Sequence, residues 1–347
     1  MHAADLSRNL ALELLRVTEG AALAAAPLQG RGDPKAADQR AVDAMRERLG
    51  SVDMKGTVVI GEGEKDEAPM LYFGEEVGNG LLPEVDVAVD PLDGTRLTAK
   101  GLPGAMAVVA LAERGSMFTT HVAYMSKLVV GRRARDVIDI DDTVEANLLR
   151  IAKAEEMHPR DLTVILLERD RNLDLIEQVR AVGARIRLIS DGDVAGAVMA
   201  ALPMKTGMHV MMGVGGATEG VLGACAVKAV GGGMQGKLWF RDEEERAVAR
   251  QEGHGDQVLS IDDLCAGQHI FFAATGITSG ELLAGIRYEE PYAYTHSMVL
   301  RSATGTMRFV DAYHDMRKLR AQGLLPEQIA PAVAPAAPPQ RRSPNLF

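Results

Sequence analysis

"DLTVILLERDRNLDLIEQVRAVGARIRLISDGDVAGAVMA", residues 161–200, runs through one pattern twice. An apolar run at 161–168 leads into a helical stretch at 171–182. A second run at 184–190 leads into another helical stretch at 193–202. A third round follows, with "HVMMGVGG" (209–216) as strand and 217–229 as helix. Short strands alternating with helices predict α/β layers.

Outward from this block the elements are less regular. Leu6, Leu10, Leu14 and Val17 form a helical stripe over 5–26. A second helix starts with Asp33 as N-cap and Pro34 in its first position, and ends at Gly50. A strand at 58–60 runs into Gly61-Glu62-Gly63-Glu64, a short helix or strand is expected at 70–72, and another strand at 85–90. Residues 104–112 and 117–130 read as strands and 143–157 as a helix. Residues 269–278 and 295–310 read as late strands, with a last helix at 311–320. The expected organisation is an N-terminal lobe (1–135), a C-terminal α/β lobe (136–325) and a tail (326–347). The tail carries six of the fifteen prolines and is expected to be mobile.

Composition removes several function classes. The chain has 347 residues, 47% hydrophobic and 25% charged, with a net charge of -10. That balance argues against a general nucleic-acid binder. Cys225 and Cys265 make neither a zinc pattern nor a disulfide framework, which suits a reducing cytoplasm. The N-terminal residues do not read as a signal peptide, and no apolar run is long enough for a membrane span.

The chemistry gathers between Glu62 and Asp93, where ten carboxylates face one basic residue, Lys65. Glu64, Asp66, Glu67, Glu75, Glu76 and Glu84 read as solvated turn residues. Glu62, Asp90 and Asp93 do not, because they end runs too apolar to be exposed edges: "VVIG" before Glu62 and "VDVAV" before Asp90. Asp86 lies ~13 Å up the strand from Asp90 and falls outside the expected site. Carboxylates converging at buried strand ends raise one another's pKa. A divalent cation such as Mg²⁺ or Mn²⁺, which prefers oxygen ligands, removes that penalty. The turn Asp-Pro-Leu-Asp-Gly-Thr would present both carboxylates and the Leu92 carbonyl around one point, with Thr95 holding a water or capping the next helix. The competing reading is a plain Asx-turn, since Pro91 and Asp93-Gly94 form turns unaided. Two glycine-led helix starts, "GVGGATEG" (213–220) and "SDGDVAGA" (190–197), suit an anion, or serve as caps alone.

Together, "GRGDPKAAD", "VVIGEGEKDEAPMLY", "AVDPLDGTRLTAKG", "LISDGDVAGA", "GVGGATEG" and "ATGIT" resemble the class II bacterial fructose-1,6-bisphosphatases. These lie within the lithium-sensitive, metal-dependent phosphatase superfamily that includes inositol monophosphatase. The similarity runs from about residue 5 to 320. It implies a layered α-β-α-β-α sugar-phosphatase fold. It implies Asp38, Glu62, Asp90, Asp93 and Glu219 as ligands of two or three Mg²⁺ or Mn²⁺ ions, with Glu62, Asp90 and Thr95 catalytic. Asp93, Gly94 and Thr95 would meet the scissile phosphate. Tyr124, Asp170, Arg171, Asn172, Asp191, Gly192, Asp193 and Gly216 would line the sugar and second-phosphate site. Pattern alone makes Asp38 a helix-surface residue, Tyr124 a strand residue and Arg171 a surface arginine.

This chain departs from the family pattern twice. Asp93 stands where glutamate is common, one methylene shorter. Asp170-Arg171-Asn172 stands where Pro-Arg-His is frequent. The implied reaction is hydrolysis of the 1-phosphate of fructose-1,6-bisphosphate by direct water attack; some family members also use sedoheptulose-1,7-bisphosphate. No serine or cysteine sits in a nucleophile motif. The alternatives are an inositol or nucleotide 3'-phosphatase and a catalytically silent sugar-phosphate binder. The expected partner is a small sugar bisphosphate, with neither nucleic acid nor membrane, in a homo-oligomer (dimer or tetramer).

Overall fold

The computed structural model describes residues 10–63 and 70–325. In chain order the strands are β1 (Lys55–Ile60), β2 (Glu76–Val77), β3 (Glu84–Asp93), β4 (Met106–Glu113), β5 (Tyr124–Val130), β6 (Thr163–Leu167), β7 (Arg185–Ile189), β8 (Val210–Gly216), β9 (Gly233–Trp239), β10 (Leu259–Ser260), β11 (Phe271–Gly276), β12 (Arg287–Glu289), β13 (Tyr292–Arg301) and β14 (Thr306–Asp315). The helices are α1 (Ala11–Ala25), α2 (Pro34–Leu49), α3 (Thr95–Lys100), α4 (Val144–Ala154), α5 (Leu173–Val182), α6 (Asp193–Ala201), α7 (Pro203–Thr206), α8 (Ala217–Ala229), α9 (Glu243–Gln251), α10 (Ile261–Leu264) and α11 (Met316–Ala321).

The strands build two sheets. The first, of eight strands, runs β12-β13-β11-β4-β3-β1-β2, with β14 also paired to β13. The second, of six, runs β10-β9-β5-β8-β6-β7. Apolar packing fixes the layers. On one outer face, Leu14, Val17 and Met45 of α1 and α2 meet Val87, Val109 and Phe271 of the first sheet. In the middle, Val194, Val198, Val221 and Leu222 of α6 and α8 lie between Val108 and Phe272 on one side and Met125 and Met211 on the other. On the far face, Leu148, Ile151, Ile176 and Val179 of α4 and α5 cover Val164, Leu166 and Val210. The layer order is α-β-α-β-α. Helices on both faces explain why β4 and β11 are apolar at nearly every position instead of alternating.

The second sheet is an insertion into the first. Its strands all fall within residues 124–260, between β4 and β11, yet β4 and β11 are direct neighbours, with Leu111 opposite Phe271. The boundary expected at 135/136 therefore does not coincide with the division between sheets. β5 precedes that boundary, and β11 to β14 rejoin the first sheet.

Several element readings change. The run 295–310 is a hairpin, β13 and β14, because Gly305 takes a left-handed φ of 57° after the turn at 302–304. The last helix starts at Met316 because β14 continues to Asp315. Only 124–130 of the run 117–130 is strand, and 70–72 forms no regular element. β9 and α9 come in addition to the elements expected. α2 begins as expected, with the Asp33 side chain accepting the Ala36 N–H at 3.0 Å. Leu6, Glu64 to Glu67 and the tail 326–347 lie outside the described residues. Among the described residues, no helix is long and apolar enough to cross a membrane.

A polar seam lies under α1. Glu19 is buried and accepts from the Thr295 hydroxyl at 3.1 Å, with His314 Nε2 at 3.8 Å. Burial pushes Glu19 from 4.5 up to about 7, against the pull of Thr295, Arg16 and Arg48. The folded chain then keeps a proton that the unfolded chain has released, so stability falls as pH rises through that window. Glu19→Gln is expected to flatten this slope. Its melting temperature should match the parent near about pH 5 and exceed it by about 3 °C near about pH 8. Thermal unfolding at both pH values measures this; equal losses at the two would refute it.

Candidate active site

β1 and β3 are parallel, with Ile60 opposite Ala88. Glu62 and Asp90, each two residues further on, therefore leave the sheet at the same end. Against antiparallel β4, Asp90 faces Val108 and Asp93 faces Met106, so three steps on β3 match two on β4. That is a β-bulge. The strand does not turn at Asp90, as the Pro-Leu-Asp-Gly-Thr reading expects, but runs on through Asp93. Pro91 has no N–H for the ladder, and the Leu92 N–H bonds Asp90 Oδ1 at 3.0 Å. The Asx-turn and the convergence of carboxylates are thus one feature. The Leu92 carbonyl accepts the Thr95 hydroxyl at 3.1 Å. The true turn is at Gly94, whose φ is 96° and where a Cβ would press on Leu97 and Ala105.

Behind Glu62 stands a relay. Its N–H bonds the Leu71 carbonyl at 3.0 Å. Leu71 adopts a φ of 55°, and its N–H bonds the Glu75 carboxylate, which also pairs with Arg46. Glu75 is buried and structural, not the solvated turn residue expected. Asp86 is buried too, held by Arg114 at 2.6 Å and by the N–H groups of Ser116 and Met117, away from the site.

Asp38 on α2 and Glu219 in the first turn of α8 complete the ring. Asp38, Glu62, Asp90, Asp93, Asp191 and Glu219 line one cavity of about 290 Å³, with Gly94, Thr95 and Thr218 and, among the described residues, without a lysine or arginine. A Cβ at Gly216 would collide with the Glu219 carboxylate, so glycine there gives that side chain its place. Burial, then Asp38 and Glu219, pushes Glu62 from 4.5 up to about 7. Asp90 is driven well above the usual carboxylate range by burial, then by Asp93, Glu62 and Glu219. Asp93 is raised by burial although it accepts the Ala195 N–H at 3.1 Å. Burial raises Asp38. Among the described residues no three such side chains are drawn together as a formed metal group. The donor set is nonetheless hard oxygen, anionic and uncompensated, which suits Mg²⁺ or Mn²⁺.

A second cavity of about 680 Å³ adjoins the first and shares Asp93, Asp191, Thr218 and Glu219 with it. Tyr124, Arg171, Asp193 and Gly216 line it, together with Arg96 and Arg169. The Arg171 guanidinium sits 4.4 Å from the Tyr124 ring centroid and donates to the Val214 carbonyl at 3.1 Å. Trp239 meets Tyr124 edge-on at 5.9 Å. Asp191 accepts the Arg96 N–H at 3.3 Å and lies 4.0 Å from Arg169. Asp193 is buried against Lys127, and its other oxygen has no hydrogen-bond partner among the described residues. Lys127 also donates to the Gly216 carbonyl at 2.8 Å.

Three expected residues fall elsewhere. Gly192 caps α6 and lines a separate apolar cavity beside Leu97 and Gly104. Asp170 is exposed and lines neither cavity. Asn172 is buried, and its amide brackets backbone, bonding Leu167 and Val214 at 2.8–3.1 Å. Sequence reading missed Arg96, Arg169, Thr120, His121 and Lys127. Only Lys127 left a signal: a lysine inside the apolar strand "YMSKLVV" needs a buried partner.

Residues 8–314 match a family model described as "Bacterial fructose-1,6-bisphosphatase, glpX-encoded". A protein of Synechococcus sp. (strain JA-2-3B'a(2-13)), named D-fructose 1,6-bisphosphatase class 2/sedoheptulose 1,7-bisphosphatase, is 42% identical over 92% of this chain and 99% of its own. A protein of Synechococcus elongatus (strain ATCC 33912 / PCC 7942 / FACHB-805) with the same name is 41% identical over 89% and 97%.

The raised carboxylates hold protons in the folded chain that the unfolded chain releases near 4.5, so stability falls as pH climbs toward 7. A bound cation reverses that field. Metal-free protein is expected to melt lower near about pH 8 than near about pH 5, and millimolar Mg²⁺ or Mn²⁺ should restore several degrees, mostly at the higher pH. Scanning fluorimetry checks this. A melting temperature indifferent to both ions near about pH 8 would remove the metal assignment.

Proposed function

The chain belongs to the bacterial fructose-1,6-bisphosphatase family, and from that premise we propose that it hydrolyses the 1-phosphate of fructose-1,6-bisphosphate to fructose-6-phosphate and phosphate. The observation that carries this reading is the pair of adjoining cavities, one lined by six carboxylates and one with three arginines in its wall. A monophosphate needs only the first cavity; the arginines favour a second phosphate, and so a bisphosphate over an inositol monophosphate. The relatives' names extend the proposal to sedoheptulose-1,7-bisphosphate.

Asp38, Glu62, Asp90, Asp93 and Glu219 would hold two or three Mg²⁺ or Mn²⁺ ions. Such ions, when bound, supply Lewis acidity toward the phosphate and make water a nucleophile near neutral pH. The rest falls to this chain's own groups. Glu62 and Thr95 orient the attacking water, and Gly94 leaves room for the phosphate to approach the backbone. Arg96, Arg169 and Arg171 neutralise the distal phosphate, with Arg171 steadied by the Tyr124 ring and the Val214 carbonyl. Asp191 and Asp193 meet sugar hydroxyls, Asp193 kept in place by Lys127. Positioning and charge stabilisation carry phosphoryl transfer, so rigid placement of these groups is the main contribution. The same reading takes a homo-oligomer as the working form and the cytoplasm as its compartment.

Asp90→Asn is expected to lose at least about a hundredfold in phosphate release from fructose-1,6-bisphosphate. Without metal it should melt at or above the parent, since it deletes a repelled buried charge. Phosphate-release assays over sugar bisphosphates, inositol phosphates and a nucleotide 3'-phosphate, with Mg²⁺, Mn²⁺ and EDTA arms, test the whole reading. Near-normal turnover in Asp90→Asn, or no release from any sugar bisphosphate, would overturn it.

A further inference from the structure

Two segments carry the chain between the sheets, 114–123 outward and 261–270 back. They run side by side. Met117 and Cys265 form an antiparallel bridge. The Phe118 N–H donates to the Leu264 carbonyl at 3.0 Å, and the Ala266 N–H to the Ser116 carbonyl at 2.7 Å. Past Phe118, side chains from the end of α9 take over. Glu252 accepts from the Thr120 hydroxyl at 2.8 Å and from the His121 N–H at 3.0 Å, and pairs with His121 Nδ1. His254 Nε2 lies 3.1 Å from the Thr119 carbonyl, and its ring packs on Phe118 at 4.6 Å. At the other end, the Ala123 carbonyl accepts the N–H of Ala217, the first residue of α8.

This strap is a wall of the sugar-phosphate cavity. Thr120, His121 and Tyr124 line that cavity, and no residue of 119–123 lines the carboxylate cavity. Glu252 lines neither and stands behind the wall, in an adjoining hollow with Phe73 and His254 that Thr120 and His121 also line and that reaches Ile60 and Gly61. Charge-assisted bonds to two consecutive residues of an otherwise irregular segment fix its position in a way one neutral bond would not.

We propose that Glu252 is a positioning residue for substrate binding. By holding Thr120 and His121 it sets the wall against which the sugar bisphosphate is seated. The proposal rests on the phosphatase reading above. Because Thr120 and His121 line the sugar-phosphate cavity and not the carboxylate cavity, loosening them weakens binding and leaves the chemical step alone.

Glu252→Gln keeps the shape and removes the charge. With fructose-1,6-bisphosphate and Mg²⁺ or Mn²⁺, KM is expected to rise about tenfold while kcat stays within about twofold and the melting temperature within about 2 °C. A merely structural role would lower the folded fraction, and with it apparent kcat, at constant KM; that result overturns the proposal, as does a KM within about twofold of the parent. Thr120→Val deletes the hydroxyl's bond to Glu252 and the one it accepts from the Val122 N–H, and leaves the carboxylate, so it decides the matter if Glu252→Gln does not fold. Its KM should rise about threefold at unchanged kcat, and an unchanged KM again overturns the proposal. Absence of phosphate release from the parent protein strikes at the phosphatase reading itself and is told apart by that.

Discussion

Mutual repulsion among six carboxylates facing one cavity is the condition the rest of the structure answers to. Two unit charges 4 Å apart at an effective dielectric of 20 repel by about 4 kcal/mol. Among the described residues no lysine or arginine lines that cavity, and Arg169 reaches only Asp191, at 4.0 Å; backbone amides and carbonyls do most of the holding. Glu75 fixes Leu71, and the Leu71 carbonyl fixes Glu62. The bulge gives Asp90 the amide of Leu92, and the amino end of α6 gives Asp93 the amide of Ala195. Asp33 starts α2 so that Asp38 faces inward, and Gly216 clears space for Glu219. The acids are presented and not satisfied, which is the state a cation requires.

Sequence made the layers and the acid ring legible, for physical reasons. The α/β block at 161–229 has clean periods, and strand ends that carry acids after apolar runs stand out. The distinction between Asp86 and Asp90, which alternation puts on one face, follows from the ~13 Å of strand between them, and the Arg114 pair of Asp86 agrees with it. What could not be read were groups whose partners are remote in sequence. Glu75 looks like any turn glutamate until Leu71 and Arg46 close on it. Asn172 occupies a position matched by resemblance to a ligand-binding one, yet its amide is engaged by three backbone bonds. Lys127 and Asp193 lie 66 positions apart and meet only when β5 lies beside β8 and α6. The β13–β14 hairpin failed for a local reason: its turn rests on Gly305 in a left-handed conformation, within a run whose residues otherwise suit one strand.

Asp93 joins the two halves. One of its oxygens binds α6, which belongs to the middle helical layer, while the residue lines both cavities. The family pattern often has glutamate here. The shorter aspartate reaches the Ala195 amide directly from the bulge. The frame of the first sheet supplies Asp38, Glu62, Asp90 and Asp93; the insertion supplies Glu219, Tyr124 and the arginines 169 and 171. Neither half builds either cavity alone.

That insertion bears on the order in which the protein is made. When β4 leaves the ribosome its partner β11 has yet to be synthesised, because all of β5 to β10 comes first. The edge of β4 toward β11, eight residues and almost wholly apolar, waits uncovered through that interval. The inserted sheet, whose pairings all close within residues 124–260, is complete before the frame can be. Pairing across so long a stretch is slow, and unpaired apolar edges invite association between chains. The first sheet is consequently the last to close, and the uncovered edge of β4 is a place where newly made protein is exposed to association.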